Sequence, residues 1–89
     1  MNPEETTING GALTMEPLVL DVREDIRNGN EPFPKIMAAV RNLAPGQALV
    51  LINSFEPVPL YQVLGSMGFS HKTEALADDH WRITFYREG

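Results

Sequence analysis

Apolar residues along this chain fall into short blocks whose period changes from one block to the next. Leu18-Val19-Leu20-Asp21-Val22 is a short, mainly apolar run of the kind a buried strand shows. Arg23 to Asn30 breaks the pattern and reads as a loop, with Asn28-Gly29-Asn30 as its turn signal. Phe33, Ile36, Met37, Val40 and Leu43 then recur at helical spacing, which places them along one face. Ala44-Pro45-Gly46 stops that helix. Gln47 to Asn53 is nearly all apolar, as expected of a central strand. A second helix is predicted from about Pro57 to Met67, with Leu60, Val63, Leu64 and Met67 on one face and Gly68 where a left-handed cap is wanted.

The last block reads as a hairpin. Trp81, Ile83 and Phe85 alternate with Arg82, Thr84 and Tyr86, a half-buried strand. Its partner runs from Phe69 to about Ala77, with Ala77-Asp78-Asp79 near the turn. A three-residue loop sets Phe69, His71, Thr73 and Ala75 on the face of Trp81, Ile83 and Phe85. A two-residue loop would turn Lys72 and Glu74 there instead, and burying those charges is expensive. The pattern therefore predicts an odd-length loop. The element order is β-α-β-α-β-β, an α+β chain. Residues 1–16 are polar and turn-rich and read as a flexible arm, leaving 17–89 as a single domain.

Two segments echo each other. Glu31-Pro32-Phe33-Pro34 and Glu56-Pro57-Val58-Pro59 share the pattern E-P-x-P, 25 positions apart, each between an apolar strand and an amphipathic helix. First-turn N–H groups have no intrahelical partner, so prolines there lose no hydrogen bond and pre-set φ. A carboxylate at that end suits the helix dipole. With right-handed crossovers the first two strands are parallel, and both helix starts emerge at one edge, where open sheets tend to place ligands. Asp21, Arg23, Glu31, Asn53 and Glu56 should gather there. Glu31 and Glu56 serve simply as caps, paired with Arg23, or form a shallow polar site with Pro32, Pro57 and Tyr61. Such a site would cradle phosphate poorly, because the prolines remove donors and the carboxylates repel anions. A cation or a basic patch on a partner suits it better. Tyr61 reads as lying over the sheet rim.

Composition narrows the function classes. The 89 residues hold no cysteine, so there is no disulfide framework, no Cys-based zinc site and no thiol or persulfide chemistry. The net charge of −5 disfavours nucleic acid, whose binding relies on Lys and Arg. The longest apolar stretch, Ala48 to Ile52, is too short to span a bilayer. The opening Met-Asn-Pro-Glu-Glu does not read as a signal peptide, and the expected compartment is the cytoplasm. His71 and His80 are weak metal candidates, since two histidines fall short of a ligand set and no H-x-H or H-E-x-x-H occurs. No G-x-S-x-G, G-x-G-x-x-G or P-loop is present.

The run Leu20-Asp21-Val22-Arg23, then Glu31-Pro32-Phe33, then Ala39 through Gly46 with its Pro45-Gly46 turn, resembles the TusA/SirA-like sulfur-carrier superfamily. Phe55-Glu56-Pro57-Val58-Pro59-Leu60-Tyr61 looks like an uncharacterised branch of it, a domain of unknown function. The resemblance covers residues 18 to 87. It implies a two-layer βαβαββ sandwich, a four-stranded mixed sheet with two helices on one face, similar to the C-terminal domain of translation initiation factor three. The carriers hold a cysteine in C-P-x-P at a helix start, where the dipole lowers its pKa. In this chain that position falls on Glu31 by motif, or on Gly29 by ungapped spacing. Neither residue can carry a persulfide. Two function classes follow: a non-catalytic module binding a protein partner or small polar ligand, with no cofactor, nucleic acid or membrane, and a metal- or cofactor-linked accessory domain in redox or sulfur metabolism.

Overall fold

β1 (Leu18–Asp21) and β2 (Leu49–Asn53) run parallel, Leu18 opposite Leu49 and Asp21 opposite Ile52. This arrangement comes from a computed structural model that describes residues 15–87; most of the expected N-terminal arm, 1–14, lies outside the described residues. Between the two strands come α1 (Arg23–Arg27) and α2 (Phe33–Arg41). After β2, α3 (Val58–Gly65) leads into β3 (Ser70–Ala77) and β4 (His80–Tyr86). β4 turns back between β2 and β3, so the sheet order is β1-β2-β4-β3, with β4 antiparallel to both neighbours. The result is the expected α+β sandwich on a four-stranded mixed sheet, with a third, short helix added.

That added helix corrects the reading of 23–30 as a loop. The Ile26 N–H donates to Val22 O at 3.1 Å and the Asn28 N–H to Glu24 O at 3.0 Å. Glu24 and Asp25 stand in the first turn and Arg27 in the last, the order the helix dipole favours. One turn is too short for a periodic apolar stripe to show, and Gly29 ends it with φ +78°. Lys35 Nζ reaches Asp25 Oδ2 at 3.0 Å and ties α1 to α2.

One face of the sheet carries the core. Leu49 and Leu51 of β2 and Ile83 and Phe85 of β4 are fully buried, against Ile36 and Val40 of α2 and Leu60 and Leu64 of α3. Alternation along β2 is strict, because the side-chain period of a strand is two. The helices meet the expected stops. Gly68, with φ +94°, follows α3, and the Phe69 N–H reaches back to Leu64 O at 3.0 Å, as left-handed caps allow. Among the described residues no helix is long and apolar enough to cross a membrane.

The hairpin solves its parity problem by a different route from an odd loop. Two residues, Asp78 and Asp79, form the turn, with Ala77 opposite His80. A β-bulge between Ala75 and Ala77 then shifts the register, so that Ala75 opposes Trp81, Thr73 opposes Ile83 and His71 opposes Phe85. The extra residue, Leu76, is exposed. Lys72 and Glu74 stay off the core face, as the desolvation argument requires, and Glu74 pairs with Arg82 at 2.8 Å.

Candidate functional site

The parallel pairing of β1 and β2 brings the starts of α2 and α3 to one edge, beyond the carboxyl ends of those strands. Both copies of E-P-x-P begin their helices alike. Pro32 and Pro57 occupy the N-cap, and Pro34 and Pro59 the second helical position. The two glutamates behave differently. Glu31 Oε1 accepts the Phe33 N–H at 3.1 Å and so caps α2. Beside α3 it is the Glu56 backbone carbonyl that accepts the Val58 N–H, at 2.9 Å. The Glu56 carboxylate faces the other way, accepting the Tyr61 hydroxyl at 3.1 Å.

Between the two helix starts lies an open groove of about 190 Å³. Glu31, Pro32, Asn53 and Pro57 line it, as does an apolar set that includes Phe33, Phe55, Pro59 and Val63. This corrects the expected shallow polar site: the lining is mainly hydrocarbon and aromatic. Phe33 at the start of α2, Val63 on α3 and Phe55 between β2 and α3 all lie on the lining and stay uncovered, at 42%, 36% and 51% exposed. Helical spacing alone does not say which residues of a stripe stay uncovered. The signal available was Phe55 beside a predicted helix start, an apolar residue outside any periodic element.

Asn53 is the buried polar residue of this groove. It ends β2, is only 3% exposed and is the one buried polar residue among the described residues. Its Nδ2 donates to Phe55 O at 2.9 Å, which fixes the orientation of the amide. That leaves Oδ1 buried with no hydrogen-bond partner among the described residues. Buried acceptors are seldom left so, because an unmade bond costs about 1–3 kcal/mol.

The other expected residues lie to either side. Asp21 and Arg23 line a separate polar depression with Glu24 and Arg27. Arg23 pairs with Asp21 at 2.8 Å, which corrects its expected pairing with Glu31 or Glu56. The guanidinium bond holds the Asp21 carboxyl below the usual carboxylate range. Tyr61 lies over the sheet, its ring stacked on His71 with centroids 3.8 Å apart and planes nearly parallel. Its oxygen also meets Thr73 Oγ1 at 2.6 Å. With Tyr61 donating to Glu56, the Thr73 hydroxyl is the donor in that contact. Burial pushes the Tyr61 phenol above its ordinary value, and Glu56 adds to the effect while Thr73 opposes it. His71 is thus under a ring and His80 at the hairpin turn. Among the described residues no three or more His, Cys, Asp or Glu are grouped to hold a metal.

A mixed-sheet α+β sandwich with an apolar groove at its paired helix starts is the class this fold and site define. The family model described as an uncharacterized conserved protein, DUF2249, matches residues 19–87, and the chain belongs to that family. No curated protein and no solved structure matches it.

Proposed function

We propose that the chain is a non-catalytic binding module whose working surface is the groove between the starts of α2 and α3. The observation that carries this is a concave apolar surface in which two aromatic side chains, Phe33 and Phe55, remain about half exposed. Exposed apolar concavities rimmed by polar groups are where partners and ligands bind. The lining supplies hydrocarbon, one carboxylate and one amide, a set suited to holding a group rather than transforming it.

In this reading Glu31, Pro32, Asn53 and Pro57 form the groove. Glu56 and Tyr61 brace the α3 wall against β3, and Asp21 and Arg23 form a polar shoulder at the same sheet edge. The occupant is a protein partner or a small ligand, with nucleic acid disfavoured by the acidic charge and a membrane span by the shortness of the apolar runs. The L-D-x-R strand end and the P-x-P helix start support kinship with TusA/SirA-like carriers. Without cysteine, the scaffold would have been kept and the persulfide role lost, and the cytoplasm remains the compartment that composition suits.

Chemical-shift mapping with a panel of small aromatic and aliphatic fragments tests the proposal. Shifts should centre on Phe33, Asn53, Phe55 and Val63 and vanish in Phe55→Ala. That variant should keep its stability within about 0.5 kcal/mol, as exposed positions do. Shifts confined to the β1 side or to the bulge at Leu76 would defeat it.

A further inference from the structure

We infer that the groove receives a tryptophan side chain from a basic segment of a partner protein, with the indole N–H donating to Asn53 Oδ1; this rests on the groove being the binding surface. Size is the first argument. A cavity of about 150 Å³ admits benzene, whereas sites for whole ligands measure roughly 300–1,000 Å³. At about 190 Å³ the groove holds one aromatic ring system. The exposed Val58, next in sequence to the lining residues Pro57 and Pro59, adds apolar surface beside the groove, where the backbone carrying the ring would lie. An anchor in a pocket within a near-neutral apolar rim is how protein interfaces concentrate their energy.

Hydrogen-bond polarity is the second argument. Asn53 Oδ1 is an acceptor awaiting a donor, and the groove has few donors of its own. Pro32, Pro34, Pro57 and Pro59 carry no N–H, the Phe33 N–H is taken by Glu31, and the Val58 N–H is taken by the Glu56 carbonyl. An occupant must therefore donate without needing to accept. Indole is the aromatic side chain with a donor and no acceptor. Oδ1 is buried on a residue that lines the groove, so in this proposal the ring displaces part of the lining to reach it. Charge is the third argument. Glu31 stands on the lining and the chain is acidic, so basic residues beside the tryptophan are favoured.

The test follows groove amides of the isotope-labelled protein during titration with three probes. These are the end-capped peptide Gly-Lys-Trp-Lys-Gly, the same peptide with 1-methyltryptophan, and free N-acetyltryptophanamide. The peptide should bind on the order of tenfold more tightly than its methylated form, which lacks the donor. It should also bind several-fold more tightly than the free amide, and Glu31→Gln should narrow that second gap. Equal affinity of the methylated peptide overturns the Asn53 contact while leaving the groove as a binding surface. Equal affinity of the free amide overturns the partner segment. Silence with all three probes, while the fragment panel still moves the groove, overturns the tryptophan assignment alone. Silence with the fragments as well defeats the proposed function too.

Discussion

Tyr61→Phe isolates what holds the α3 wall of the groove to the sheet. The substitution keeps the ring, so its stacking on His71 at 3.8 Å and its buried area persist. It removes one hydroxyl that meets Thr73 at 2.6 Å and Glu56 at 3.1 Å. The Thr73 bond is partly buried, and a neutral bond of this kind contributes about 1 kcal/mol net. Thr73 Oγ1 also loses its partner where water has limited access, which brings the expected loss to about 1.5 kcal/mol. The Glu56 bond sits at the solvent edge and adds little. For a domain of this size, 1.5 kcal/mol corresponds to a fall of about 6–12 °C in Tm. Urea denaturation should show the midpoint falling at constant slope. Thr73→Val removes the same bond from the other side, so a double-mutant cycle should return a coupling of about 1 kcal/mol. A Tyr61→Phe protein within about 0.3 kcal/mol of wild type, or a strictly additive double variant, would refute the reasoning.

Leu51→Ala, at a fully buried site on β2, should cost about 2–5 kcal/mol by urea denaturation, because a packed core relaxes only in part around a cavity. Gly68→Ala should cost about 1–2 kcal/mol through its φ of +94° alone, since the nearest atom to an added Cβ is Arg87 Nε at 3.7 Å; Gly68→Asn should recover part of the loss in the same assay. Because the Asp21 carboxyl titrates below its ordinary range, its pair with Arg23 stabilises the fold above that range and is lost as pH falls through the lowered value. Asp21→Asn should therefore flatten the acid limb of a stability-against-pH curve, and added salt should mimic it in part.

Elements whose side chains repeat with a clear period were legible in the sequence. β2 alternates strictly, the α2 stripe is buried at Ile36 and Val40, and β3 and β4 pair on the expected face. The one-turn helix α1 was hidden because it has no apolar repeat and is held by backbone bonds to Val22 and Glu24. The bulge at Leu76 was hidden for a related reason. Burial energetics dictates which face Lys72 and Glu74 occupy, and says nothing of whether a longer turn or an inserted residue achieves it. At the candidate site, the shared edge and the role of Glu31 could be read from E-P-x-P. The apolar character of the groove could not, because helical spacing puts Phe33 and Val63 in apolar positions without saying that they stay uncovered on the groove lining. Nor could the missing partner of Asn53, since a strand-ending asparagine normally finds one.

Because β4 lies between β2 and β3, the sheet is finished by a strand that is synthesised last among its four. Until residues 80–86 leave the ribosome, β2 has an open side, and neither Leu49 nor Leu51 has Ile83 or Phe85 beside it. The nascent chain up to the hairpin turn thus lacks the strand that joins β3 to the rest of the sheet. Pairing of β4 with both neighbours is a long-range contact, the slow kind to form, and any truncation before His80 takes Ile83 and Phe85 out of the buried core and leaves β2 and β3 without the strand that joins them.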